Sequence, residues 1–291
     1  MISRTYGAQS MVGKLKRALV HRPGIEFSDE GNYRSFGFTG PVPDLSQAQD
    51  EHDAFTQCLK EFGVQVDYVE NVETKFTGST YVTDCGIVTD NGIVVSRMGK
   101  PQRIGEEKAV VKKLTEIDVP IYYTIQAPGT VEGGGETIWL DHDTLLVGRT
   151  FRTNNEAYRQ LKHLLSNVDV IQFQLPYYQG PGTVLHLGSV MSMIDEHLCV
   201  GYLPLMPIEM YELLHERDIE IIPIDDDEFG NSASNILAVE PDKVVMVAGN
   251  PNTQSALEQR GVEVKTFEAH WTGRDRHAGP TCMTMSVLRE Y

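Results

Sequence analysis

Four separated stretches of this 291-residue chain set a reactive side chain beside glycine. Near the C-terminus, Ala278-Gly279-Pro280-Thr281-Cys282-Met283-Thr284-Met285-Ser286 puts a thiol after a Gly-Pro turn, where rigid backbone leaves little bulk around the sulfur. Only the thiolate is nucleophilic, so Cys282 needs a cation or a backbone dipole nearby; His186, Arg274, Arg276 and His277 are the candidates. By itself such a cysteine reads equally as a small buried apolar residue. Gly180-Pro181-Gly182-Thr183-Val184-Leu185-His186-Leu187-Gly188-Ser189 sets one histidine among apolar neighbours at an expected strand start. Tyr81-Val82-Thr83-Asp84-Cys85-Gly86 places an acid at a strand edge, and Pro128 to Thr137 carries Glu132 and Glu136 on either side of three glycines. Consecutive glycines let backbone approach a bound group closely. A phosphate cradle does not fit, because no Lys-Ser/Thr follows and no helix is expected to open there. Cysteine, histidine and carboxylate together form the set for nucleophilic catalysis, with the imidazole moving protons and the acid orienting it.

Such a set works only if the fold gathers it, and the periodicity of the chain says how. Amphipathic helices are expected over 46–62, 105–117, 154–165, 207–217 and 252–260, followed by strands over 64–69, 119–124, 168–173, 219–224 and 262–267. Two short apolar strands precede each helix, most clearly 86–88 and 93–95 across Asp90-Asn91-Gly92, a strong hairpin signal. The unit is strand, strand, helix, strand, recurring five times at roughly fifty residues. Closed into a ring, it predicts a five-bladed pseudosymmetric α/β propeller, a single unit over 1–291 with a polar site in the central channel. Phe27 to Pro43 lacks periodicity and reads as a long functional loop, a lid over that site.

Composition narrows the partners. With 25 basic against 41 acidic residues the net charge is -16, which excludes a nucleic-acid footprint and suits a cationic or zwitterionic small molecule. Cys58, Cys85, Cys199 and Cys282 have neither metal-ligand nor disulfide spacing, which suggests a reducing, cytoplasmic setting. No apolar core of a signal peptide stands in 1–17, and no apolar run approaches the roughly 18 residues of a membrane helix. Asp225-Asp226-Asp227 reads as a solvated turn, and His270 and His277 are too loosely spaced for zinc, so no metal or cofactor is expected. Arg97 and Arg103 are either carboxylate contacts or surface residues.

In combination and in this order, the motifs resemble those of the guanidino-group modifying superfamily, the pentein enzymes. These include arginine deiminases, amidinotransferases and, closest in length and layout, the dimethylarginine dimethylaminohydrolases. The resemblance runs from Tyr6–Met11 and Leu19–Pro23 through Asp84, the Glu132 glycine run, Val147-Gly148, Arg152-Thr153-Asn154 and His186-Leu187 to Gly279–Cys282. It implies the same five-bladed propeller, with Cys282 as nucleophile, His186 as general acid and base, and Glu132 as its orienting carboxylate. It also implies that Asp84 holds the guanidinium through paired hydrogen bonds and that Arg152 grips the α-carboxylate, with Arg103 and Glu136 as further candidate substrate contacts. Two departures stand out. The third glycine leaves open whether Glu132 or Glu136 faces His186, and Gly188 replaces an acid that arginine deiminases use as a further guanidinium ligand. The implied activity is cofactor-free hydrolysis of a guanidinium C–N bond of arginine or an N-methylated arginine through a thiouronium on Cys282, giving citrulline and an amine. Deimination, double hydrolysis to ornithine, amidino transfer and a non-catalytic guanidinium binder are the rivals, and self-association is left open.

Overall fold

Apolar alternation over short segments, broken by turn residues, gives fifteen strands in five three-stranded sheets among residues 4–290, which the computed structural model describes. Residues 1–3 and 291, the ends of the expected 1–291 unit, lie outside the described residues. Blade II is built from Gly86–Thr89, Gly92–Val95 and Ile121–Thr124, with helix Glu107–Glu116 between its second and third strands. Blade III repeats this with Thr137–Asp141, Thr144–Arg149, Asn155–Leu164 and Asp169–Gln174. Blade IV uses Met191–Asp195, Leu198–Gly201, Ile208–Glu216 and Glu220–Pro223, and blade V uses Leu237–Glu240, Lys243–Val247, Pro251–Glu258 and Glu263–Phe267. In each the middle strand runs antiparallel to the first and parallel to the third, as a hairpin followed by a helical crossover requires.

Blade I is composite. Its first strand, Met285–Glu290, comes from the end of the chain and pairs antiparallel with Lys14–Val20, with Leu19 opposite Met285; Gln65–Tyr68 completes it after helix Leu45–Glu61. The ring is thus joined by its own two ends, and Cys282 is carried to the centre just ahead of the joining strand. Arg289 reinforces the joint: almost wholly buried, it donates to Gly13 O at 2.6 Å and Ala238 O at 2.9 Å, tying blade I to blade V.

Local chemistry sets the element ends within two residues of the sequence expectation. Asp44 Oδ1 caps the first long helix by accepting from Gln47 N at 2.9 Å, and Asn154 Oδ1 does the same from Ala157 N at 3.0 Å. In the Asp90-Asn91-Gly92 turn, Gly92 takes φ +120°, a conformation open to glycine at little cost. The segment expected as an unstructured loop over 27–43 instead contains the helices Ile25–Ser28 and Glu30–Phe36, joined by Asp29, whose side chain caps the second. Each is too short to show a period. The Asp225-Asp226-Asp227 run, expected as a solvated turn, instead opens the short helix Asp226–Phe229; its side chains are exposed, and Asn252 and Tyr202 engage Asp225 and Asp226.

Leu161, fully buried on helix Asn155–Leu164, belongs to the apolar cluster that includes Leu145, Val147 and Val170. Replacing it by alanine removes buried methylenes and leaves a cavity, so Leu161→Ala is expected to cost about 2–5 kcal/mol in urea unfolding. A loss under about 1 kcal/mol would mean that this helix does not hold blade III together.

Candidate active site

The five first strands start at the centre of the ring, and a tight turn feeds each. Helical turns Val82–Cys85, Gly133–Glu136 and Leu187–Val190 precede the first strands of blades II, III and IV. Asp84, Glu132, His186, Asn235 and Cys282 each stand a few residues ahead of the first strand of their own blade. The repeat therefore converts sequence positions about fifty residues apart into one cluster. The structure differs from the sequence expectation at two of these turns. His186 caps a helical turn rather than starting a strand, its N–H donating to Ser189 Oγ at 3.1 Å. The glycine run does open a helix, of one turn, and its glycines make room for the protein's own groups: a Cβ on Gly135 would overlap both Asp84 Oδ1 and His186 Nδ1.

The helical turn settles which acid faces the histidine. Glu132, at its start, meets His186 Nε2 with Oε2 at 3.0 Å. Glu136, one turn on and wholly buried, instead accepts from Leu187 N at 3.3 Å and bonds Thr150 Oγ1, so the expected substrate contact by Glu136 is not what the fold builds. Burial pushes the Glu136 carboxyl up to about 7, with the His186 charge and the Thr150 hydrogen bond offsetting only part of it. Burial would raise Glu132 too, yet Arg103 and His186, with Arg152 behind them, hold its carboxyl far below the usual range. Arg152 Nη1 lies 3.2 Å from both oxygens of Glu132, and Arg103 Nη1 lies 3.3 Å from Oε2.

Arg103 is neither a surface residue nor a free carboxylate contact. Fully enclosed, it donates to Asp84 Oδ2 at 2.5 Å and through Nε to Glu106 Oε2 at 2.9 Å, because three buried acids converge on it. Burial keeps Glu106 up at about 7 despite that pairing. Asp84 Oδ1 has no hydrogen-bond partner and lies 3.8 Å from His186 Nδ1. For His186, burial acts to lower the pKa, but the charges of Asp84, Glu136 and Glu132 outweigh it and raise the group above its ordinary 6.5.

Cys282, Asp84, His186, Arg103, Arg152 and Lys100 line one cavity of about 490 Å³. Asn235 Nδ2 contacts Cys282 Sγ at 3.0 Å, while Asn235 Oδ1 accepts from Thr281 N at 2.9 Å. Burial, and then the charge of Asp84, push the thiol up to about 11. Opposite, Tyr33, Phe36, Phe38 and Pro41 of the expected lid form a wall of the same cavity. Arg276 and His277 also line it, whereas Arg274 turns to Ala248 O and Glu268, and Arg97 donates to Gly129 O at 3.1 Å, bracing the turn before Glu132. Asp84, Glu132 and His186 hold ligand atoms within 4.8 Å of one another, a spacing a cation could use, but Arg103 already neutralises their centre. Sequence reasoning missed Asn235, Lys100 and Glu106. Only Asn235 left a signal, its place in the repeat.

Five ββαβ blades around a cavity walled by a cysteine, a histidine and an unsatisfied acid define a guanidino-group modifying enzyme of the pentein fold. Residues 44–270 match the family described as N,N dimethylarginine dimethylhydrolase, eukaryotic, and the chain belongs to that family. Over 253 residues it is 28% identical to the N(G),N(G)-dimethylarginine dimethylaminohydrolase of Pseudomonas aeruginosa, covering 84% of this chain and 89% of that one. It is 22% identical to the arginine deiminase of Clostridium perfringens, with 99% and 98% covered. Among solved structures, the Pseudomonas aeruginosa enzyme as a cysteine-to-serine mutant with citrulline superposes with a TM-score of 0.78 at 22% identity, covering 94% of this chain and 100% of that one. The N-terminal domain of an arginine dihydrolase from cyanobacteria superposes at 0.80 with 18% identity, covering 94% and 97%. Among the described residues no helix is long and apolar enough to cross a membrane.

The raised histidine pKa gives a direct test. Such a group stabilises the folded state below its unfolded pKa, and the contribution fades as pH rises through the folded value. The His186 ring followed by NMR is expected to titrate above 6.5 and to move down in Glu132→Gln. A wild-type midpoint at or below 6.5 would show that the carboxylates do not control the imidazole.

Proposed function

We propose that the whole chain, as a single catalytic unit, hydrolyses a C–N bond of the guanidinium of arginine or an N-methylated arginine to citrulline and an amine. The observation that carries this reading is Asp84 Oδ1, a buried carboxylate oxygen without a partner, on a cavity wall shared with the Cys282 thiol and the His186 imidazole. A buried acceptor left open is costly unless a ligand donor fills it, and a guanidinium N–H is such a donor. Since Oδ2 is taken by Arg103, one charge-assisted bond to Asp84 replaces the pair expected from the sequence.

The unliganded thiol, at about 11, is protonated at neutral pH. A guanidinium entering beside Asp84 cancels the charge that opposes thiolate formation, so a cation enters as the thiol proton leaves to solvent. The thiolate of Cys282 attacks the central guanidinium carbon. His186, charged through its contact with Glu132, gives its proton to the departing nitrogen as the C–N bond breaks, and a thiouronium remains on sulfur. The now neutral imidazole takes a proton from water, and the resulting hydroxide adds to the thiouronium carbon. The C–S bond then breaks, the ureido product forms and the excess proton returns to sulfur. Arg152, held by Glu132 on one side and open to the cavity, faces the substrate carboxylate. The cytoplasm is the proposed setting, as four unbridged cysteines fit a reducing compartment.

A panel of arginine, monomethylarginine and dimethylarginine, with Cys282→Ser as control, tests the reading. Citrulline with a methylated amine is expected, falling at least about a thousandfold in the serine variant. Ammonia from arginine alone would indicate a deiminase, ornithine a dihydrolase, and dependence on an added amine a transferase; no turnover with any of them would leave a binding protein.

Thiol alkylation tests the coupling of cation and proton. Chloroacetamidine, which carries the cation, is expected to inactivate the enzyme near neutral pH much faster than neutral iodoacetamide, and arginine should protect. Equal rates for the two reagents would show that Asp84 has no hold on the thiol.

A further inference from the structure

Lys100 stands where the cavity wall meets the lid segment. Its backbone N–H donates to Glu132 Oε1 at 3.2 Å, and its Nζ lies 3.5 Å from the ring centroid of Phe36 and 5.9 Å from that of Phe38. Gly99, the preceding residue, packs directly against the backbone of Arg152, where a Cβ would overlap the Arg152 carbonyl. Two cations therefore face one cavity side by side. Arg152 has Glu132, but no acid among the described residues pairs with the Lys100 ammonium, which only aromatic rings hold.

A half-buried ammonium without a counterion is an unpaid desolvation cost, and a ring face offsets only part of it. The groups that act on it are Arg152 and Arg103, which repel its charge, and Glu132 and Glu106, whose carboxylates are already engaged by arginine. The reacting end of the substrate is itself a cation and belongs at Asp84, so the partner missing at Lys100 is the substrate's other, anionic end.

We propose that Lys100, steadied on Phe36, is a specificity-determining ligand for the carboxylate at the non-reacting end of the guanidino substrate. This rests on the hydrolase reading above. Because Phe36 lies in the lid segment, the lysine joins carboxylate recognition to the placement of that wall. Burial, with Arg152 and Arg103, pulls the ammonium down to about 8, so the grip weakens as pH rises through that value and the charge is lost.

Calorimetric binding to the Cys282→Ser protein separates recognition from turnover. L-Arginine and agmatine, the same guanidinium without the carboxylate, are the probes. Lys100→Met is expected to weaken arginine by about tenfold or more while leaving agmatine within about twofold, and Lys100→Arg to restore most of the loss. Arginine affinity should fall above pH 8 with lysine but not with arginine at this position. In the active enzyme the same change should raise KM for carboxylated substrates with kcat nearly unchanged. Equal losses for both probes, no loss, or no arginine binding at all would overturn the proposal. If the serine variant discriminates as expected while the active enzyme turns over nothing, the hydrolase reading fails and Lys100 stands. If turnover proceeds with KM unmoved by Lys100→Met, only the lysine assignment falls.

Discussion

The contact between Glu132 and two arginines is the constraint on which the rest of the centre depends. A carboxylate with no exposure to water would ordinarily take up a proton, and a protonated Glu132 could not hold His186 charged. Arg103 and Arg152 keep it ionised, and it in turn fixes their positions. Removing one member of such a buried cluster strands the others, at a cost of about 3–5 kcal/mol, whereas the intact cluster adds little net stability. The benefit is orientation. With Nε2 committed to Glu132, only Nδ1 of His186 is left for the cavity, beside Asp84.

The ring makes that cluster possible. No single blade could bury so many charges, because each contributes one turn ahead of its first strand and the turns meet only when all five blades are closed. Glu136 shows how tightly those turns are joined. Through Leu187 N it holds the turn after His186, and through Thr150 Oγ1, which also accepts from Arg152 N at 3.0 Å, it holds the stretch leading to Arg152. The acid that the sequence offered as a rival orienter is thus a strut between the turn carrying the imidazole and the stretch carrying an arginine.

The fold was legible because its signals are local and repeated. Apolar alternation, Asn-Gly at Asn91-Gly92, and helices capped by Asp44 and Asn154 each state their structure within a few residues. Cys282, His186 and Glu132 were legible as candidates because each sits beside turn chemistry, and the ring brings them to one centre. Arg103 was not, since its buried state is set by Asp84, Glu106 and Glu132, which no local pattern brings together. The choice between Glu132 and Glu136 depended on whether the extra glycine would bulge or coil, and it coils into a helical turn. Residues 27–43 looked irregular because two short helices, joined by one capping aspartate, present less than two full periods each. Lys100 had no signal at all, as a lysine before proline is ordinary until the ring of Phe36 is found beneath it.

Asp84 then connects geometry to the choice of substrate. One of its oxygens is committed to Arg103, and Gly188 contributes no further acid, so the site offers few acceptors to the five N–H groups of an unsubstituted alkylguanidinium. Each donor enclosed without an acceptor carries a desolvation penalty. Methyl groups on the guanidinium remove donors and present apolar surface instead, so a substituted cation loses less on entering than arginine itself. On the proposed hydrolase reading, the same scarcity of acid that leaves one oxygen of Asp84 open favours the N-methylated form through the cost of unmet donors.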